Sequence, residues 1–140
     1  MSIREQNLET VAPVLATFGI HQTTGSDDLV DADIGKAVKL TGDYEVGPCD
    51  DGSVLLGKLI ALTLTDADTG ERQATVQVGG ICKLATASTY PTVGDRVVGA
   101  ADGTVKQAPV LIGNDPAGGN IARGTVLEVD GTTDCTILLN

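Results

Sequence analysis

The stretch Thr65-Asp66-Ala67-Asp68-Thr69-Gly70-Glu71-Arg72-Gln73-Ala74-Thr75-Val76-Gln77-Val78 decides the fold class. A cluster of Asp, Thr and Gly gives way to strict alternation, with Ala74, Val76 and Val78 on one side and Thr75 and Gln77 on the other. Side chains in a strand point to opposite faces, so a period of two reads as a half-buried β-strand entered through a turn. Working outward, Lys36-Ala37-Val38-Lys39-Leu40 alternates in the same way, and Thr125-Val126-Leu127-Glu128-Val129 does so more loosely. The breaks are Asp50-Asp51-Gly52, Asp66 to Gly70, Ala101-Asp102-Gly103 and Asp130-Gly131. Asp-Gly pairs suit the positive φ angles of tight hairpins. The pattern predicts strands near 36–41, 44–47, 54–65, 72–79, 81–85, 96–99, 104–107, 121–129 and 134–139. No βαβ rhythm is present. The expected fold is all-β, a small antiparallel β-barrel or sandwich with an extended N-terminal arm.

The division expected is an arm, residues 1–33, and a β-body, residues 34–140. Leu8, Val11, Val14 and Leu15 are spaced like one helical face, but Pro13 interrupts it. The stretch from His21 to Asp28 is rich in Thr, Ser, Gly and Asp, which suits an arm or loop. A short N-terminal helix or strand is the alternative. Gly79-Gly80 reads as a bulge or sharp bend within the β-body.

A faint internal echo runs through the body. Ile34-Gly35-Lys36-Ala37-Val38 resembles Val93-Gly94-Asp95-Arg96-Val97. Leu56-Gly57-Lys58-Leu59 resembles Arg123-Gly124-Thr125-Val126, and Thr75 to Val78 resembles Thr136 to Leu139. A duplication would give two similar half-barrels. Chance also produces such matches in a chain rich in Gly, Val and Thr.

Composition excludes more than it names. The chain has 140 residues, enough for one domain with a core that needs no disulfide or metal. Nine Lys+Arg against 19 Asp+Glu give a net charge of -10, which opposes a duplex nucleic-acid partner. One His and three Cys without CxxC spacing oppose a zinc site, and the cysteines read as small buried hydrophobes. No stretch approaches the roughly 18 apolar residues that span a bilayer, and no signal peptide is legible, so synthesis in a cytoplasm and no membrane partner are expected. Lone His21 has no nucleophile or second base nearby in sequence, and most carboxylates sit in turns, where Asp bonds local backbone. The Asp66 turn fails the calcium-loop test, because Gly stands fifth and Gln77 stands twelfth. No catalytic residue, cofactor or metal ligand is therefore expected.

The run Gly52 to Gly57, the hairpin Thr65-Asp66-Ala67-Asp68-Thr69-Gly70-Glu71, the strand Thr75-Val76-Gln77-Val78-Gly79-Gly80-Ile81 and the opening Val93-Gly94-Asp95-Arg96-Val97 occur in this order. With the ending Gly124 to Val129 and Cys135 to Leu139, they resemble the small capsid decoration (cement) proteins of tailed bacteriophages over residues 34–140. The resemblance implies an all-β homotrimer on the outer capsid surface of the virion, at three-fold or quasi-three-fold positions. Its partners would be the major capsid protein and other copies of itself, and its work would be to clamp neighbouring capsid subunits. The arm is longer and more polar than in that group. Ile3, Leu8, Val11, Leu15, Phe18 and Ile20 are the expected apolar anchors on capsid or a neighbouring copy. The competing reading puts the same side chains in the protein's own core. Two other functions stay open: another virion β-module (head fibre, tail or head–tail joining protein) and a cellular ligand- or protein-binding β-domain.

Overall fold

The computed structural model describes residues 13–110 and 121–140. Eleven strands account for most of these residues, joined by turns and two short 3-10 turns. They are β1 (Val14–Ile20), β2 (Gln22–Thr23), β3 (Ser26–Asp27), β4 (Ala37–Gly42), β5 (Glu45–Pro48), β6 (Gly57–Leu62), β7 (Gln73–Ala85), β8 (Val97–Ala100), β9 (Thr104–Gln107), β10 (Thr125–Asp130) and β11 (Asp134–Leu139). The main sheet runs β1-β5-β4-β6-β7-β11-β10, and β1 also pairs with β7. That extra pairing closes β1, β5, β4, β6 and the first part of β7 into a five-stranded barrel. Every neighbouring pair in it is antiparallel except β1–β5. Closure pairs most of the strand edges that would otherwise invite aggregation.

The alternation read from the sequence sets which side chains face inward. Ala74 and Val76 of β7 point into the barrel with Val38, Val46 and Leu59, all fully buried, and Leu29 covers them. Burying each such Leu or Val contributes roughly 1.5–3 kcal/mol, before side-chain entropy is counted. The Asp66 turn forms as its composition demands. The Asp66 carboxylate accepts the backbone N–H of Asp68 at 2.7 Å and of Thr69 at 3.0 Å. At Gly80, where φ is +88°, β7 changes partners. Residues 73–79 lie between β1 and β6, and residues 80–85 lie against β11. The two strands expected at 72–79 and 81–85 are thus one strand with a bend at the glycines.

Residues 14–20, read from the sequence as part of the arm with a short strand as the alternative, form barrel strand β1, in register with β7 from Leu15↔Gln77 to Gly19↔Gln73. Ala16, Phe18 and Ile20 alternate inward while Leu15, Thr17 and Gly19 face out. The outward face includes an apolar Leu, so the strand period is masked in the sequence. The polar stretch after it is the minimal hairpin β2–β3, followed by a 3-10 turn at Asp31–Asp33.

The echo is structural. Residues 80–85 of β7, with β8, β9, β10 and β11, retrace the path of β1, β4, β5, β6 and residues 73–79. Leu40↔Val46 in β4–β5 matches Gly99↔Val105 in β8–β9. Leu59↔Val76 matches Val126↔Ile137, and each ladder shifts register immediately afterwards. Leu15↔Gln77 matches Ile81↔Leu138. Single hydrogen bonds repeat as well. Gly35 N–H to Leu59 O (2.7 Å) matches Gly94 N–H to Val126 O (2.8 Å), and Cys49 N–H to Ala37 O (3.1 Å) matches Ala108 N–H to Arg96 O (2.9 Å). Even the parallel β1–β5 contact has a counterpart, the parallel bridge Thr86↔Val105. The second unit is joined between β8 and β10 by an isolated bridge, Val97↔Arg123, where the first has a ladder. Its core, with Cys82, Leu84, Val97, Val105, Val126, Cys135 and Ile137, also takes in Ala37, Cys49 and Leu55 of the first unit.

Candidate functional site

Of the sequence-predicted anchors, the three that are described do not share one face of β1. Ile3, Leu8 and Val11 lie outside the described residues. Leu15 is exposed on the outside of β1. Phe18 is half-buried and packs against the barrel core, and Ile20 is buried within it. Ile20 is thus a core residue, as the competing reading has it, because the strand period turns it inward. Leu15 remains available to a partner.

His21 lines a polar hollow of about 470 Å³ with Gln22, Asp27, Glu45, Glu71 and Arg72. Its Nδ1 lies 2.8 Å from Glu45 Oε1, and the Thr41 hydroxyl donates to the same oxygen at 2.9 Å. The hydrogen bond from His21, then that from Thr41, holds the Glu45 carboxyl below its ordinary value of 4.5. Asp28 Oδ2 lies 3.9 Å from His21 Nε2. This constellation ties the β2–β3 hairpin to β5. It has a base with an orienting carboxylate, and no Ser or Cys nucleophile lines the hollow. Cys49, Cys82 and Cys135 are buried, and none of them forms a disulfide. Burial pushes the thiols of Cys49 and Cys135 up to about 11, so both are protonated and unreactive at neutral pH. Among the described residues, no group of His, Cys, Asp and Glu is arranged to hold a metal ion, and no helix is long and apolar enough to cross a membrane.

An exposed apolar patch lies at the β4–β5 hairpin. Leu40 and Tyr44 are exposed, and the Tyr44 ring sits 6.4 Å from that of Phe18. With one Phe and two Tyr in the whole sequence, two of three aromatic rings meet here. Shallow hollows flank Leu40, one lined by Phe18, Asp43 and Tyr44, the other by Lys39, Val54, Leu55 and Leu56. Sequence reading missed Leu40 and Tyr44, because alternation alone marks Leu40 as a core residue and places Tyr44 at the start of a strand.

The boundary between the units is the best-defined interface in the molecule. The edge of β8 lies against the turn after β5, where Gly99 N–H donates to Ser53 O at 2.7 Å and Gly52 N–H to Gly99 O at 2.9 Å. Ion pairs Lys36–Asp102 (3.1 Å) and Lys106–Asp51 (2.7 Å) flank it. The Arg123 guanidinium donates to the carbonyls of Leu55, Leu56 and Val78, fastening the start of the second unit's β10 to the first unit. Partial burial lowers its pKa.

No family model, no curated protein and no solved structure matches the chain.

Proposed function

We propose that this protein is a capsid decoration protein, binding the outside of a tailed-phage head as a homotrimer and bracing contacts between major capsid subunits. The observation carrying the proposal is the order of the turn and strand motifs that resemble the decoration group, together with their places in the fold. The Thr65 to Glu71 run is the connection between β6 and β7. The run Gly52 to Gly57 is the turn that carries the second unit, and Val93 to Val97 opens β8. A barrel of this kind offers a rigid body with outward apolar positions such as Leu15 and Val14 next to the N-terminal residues. Many copies on one shell supply avidity, so each contact can be modest. The charge of -10 keeps densely arrayed copies soluble.

The test is binding of the purified full chain to expanded shells that lack it, followed by sedimentation. Saturable binding at a fixed ratio to the major capsid protein is expected, and its absence would overturn the reading. The deletion that probes the N-terminal contact is residues 2–12. A longer deletion reaching residue 25 would remove β1 and open the barrel.

A further inference from the structure

Asp-Gly occurs in the chain at Asp51-Gly52, Asp102-Gly103 and Asp130-Gly131. By residue type the three are equivalent. Glycine has no side chain to shield its amide nitrogen, so that nitrogen can reach the preceding Asp carboxyl and close a five-membered succinimide ring. The fold separates them. Gly52 N–H donates to Gly99 O at 2.9 Å, and Lys106 Nζ holds Asp51 Oδ1 at 2.7 Å. Gly103 N–H donates to Cys49 O at 3.1 Å, and Lys36 Nζ holds Asp102 Oδ1 at 3.1 Å. Both pairs sit in the seam between the two units, with the glycine amide and the carboxylate engaged. Asp130 and Gly131 lie instead in the exposed turn between β10 and β11. That turn is held at its other residues: Thr133 N–H donates to Asp130 O at 3.1 Å, Thr86 N–H to Thr133 O at 3.0 Å, and the Thr86 hydroxyl to Thr132 O at 3.0 Å. Lys83 reaches Asp134, across the ladder from Asp130, at 3.7 Å. Among the described residues, no hydrogen bond takes the Gly131 N–H, and neither a hydrogen bond nor an ion pair holds the Asp130 carboxylate.

We infer that Asp130 is a site of spontaneous modification to isoaspartate in the folded protein, and that the seam between the units protects Asp51 and Asp102 from the same reaction. In the first step the Gly131 nitrogen bonds to Asp130 Cγ. The carboxyl hydroxyl leaves with the amide hydrogen as one water molecule, and the succinimide is closed. In the second step one water opens the ring. Attack at Cγ restores aspartate. Attack at the Asp130 backbone carbonyl carbon leaves the chain running through Cβ and Cγ, with the former backbone carbonyl as a free carboxylate. One water leaves and one enters, so the mass is unchanged and no oxidant or reductant takes part. The product carries an extra methylene in the main chain of a turn only three residues long, Gly131 to Thr133. It also converts the carbonyl that accepts the Thr133 N–H into a carboxylate, so the Asp130↔Asp134 end of the ladder loosens. Because β10 is the outer strand of the main sheet, the damage stays local. The inference concerns the chemistry of the chain itself and stands apart from the decoration reading.

The experiment ages the full chain in mildly acidic buffer, with a parallel sample in denaturant, and follows all three Asp-Gly pairs. Samples are digested, each isoaspartyl peptide is separated by chromatography from its aspartyl form of equal mass, and the two are assigned by electron-transfer fragmentation. In the folded chain isoaspartate should accumulate at Asp130 at least about fivefold faster than at Asp51 or Asp102, because each of those must first break the hydrogen bond on its glycine amide. In denaturant that ranking should disappear, since the seam no longer exists. Equal rates at the three pairs in the folded chain, a seam pair faster than Asp130, or a folded chain that gains no isoaspartate at Asp130 while the denatured chain does, would overturn the inference. The same ranking in denaturant would overturn it too, by tracing the difference to neighbouring residues rather than to the fold.

Discussion

Gly99→Ala places one methyl group at the seam between the two units. Its Cβ would stand 2.3 Å from Ser53 Oγ and 2.9 Å from both Cys49 Cβ and Cys49 Sγ. Neither neighbour can yield easily. The Ser53 hydroxyl donates to Asp50 O at 2.9 Å and accepts the Asp50 N–H at 3.1 Å, and Cys49 is fully buried. The Gly99 backbone is also held, by two hydrogen bonds on one side and the β8–β9 ladder on the other. Overpacking of this kind costs about 1–3 kcal/mol, and the double constraint places this case at about 2–3 kcal/mol. At about 4 °C per kcal/mol for a domain of this size, the melting temperature should fall by about 8–12 °C. Leu40→Ala, at the matching position of the first unit, should change the monomer's stability by less than about 0.5 kcal/mol, because that edge is uncovered. Ser53→Ala alone should cost about 1 kcal/mol for its lost hydrogen bonds. In the double variant, removal of Oγ relieves the tightest contact, so the two costs should sum to less than additivity by at least about 0.5 kcal/mol. Chemical denaturation of the four proteins measures the cycle. A melting temperature within about 2 °C of the unaltered chain for Gly99→Ala, or strict additivity with Ser53→Ala, would refute the description of this seam.

Three further outcomes follow from the geometry. Phe18→Ala should destabilise the fold by about 2 kcal/mol, roughly half the cost at a fully buried site, whereas Leu15→Ala should leave unfolding unchanged within about 0.5 kcal/mol; equal effects would contradict the inward and outward alternation of β1. None of the three thiols should react with a disulfide reagent at pH 8 in the native protein, and all three should react in denaturant; a fast native thiol would contradict the burial of Cys49, Cys82 and Cys135. Carboxyl titration by NMR should find Glu45 below 4.5 and Asp66 below 3.8, the former because of His21 and Thr41 and the latter because of the backbone N–H groups of Thr69 and Asp68. Both pKa values are depressed by folding, so the stability each contributes is complete above its ordinary value and is lost as pH falls through the folded value. Replacing His21 with Ala should move Glu45 back upward, and an unmoved Glu45 would remove His21 as the cause.

Most of the β-body was legible because period two survives wherever one face is buried and the other wet. Strands β4, β5, β9 and β11 fall within a residue or so of their expected positions. The echo also had physical content: the three matched segments are the strand openings and closing strands that occupy equivalent ladder positions. What escaped was β1. Its counterpart is residues 80–85, yet Leu15, Thr17, Phe18 and Gly19 stand opposite Ile81, Lys83, Leu84 and Ala85 in the superposed ladders, and only burial alternation is shared. The candidate surface was harder still. Exposure of Leu40 depends on what covers the strand edge, a tertiary fact that residue type does not encode. The same alternation gives a buried Gly99 in one unit and an exposed Leu40 in the other.

The most direct test of the decoration reading is the density of expanded shells before and after saturation with this protein. The account predicts new density outside the shell at three-fold or quasi-three-fold positions, shaped as a ring of these two-unit chains and spanning adjacent major capsid subunits. Shell density unchanged by saturation, or protein density confined to the tail axis, would contradict it.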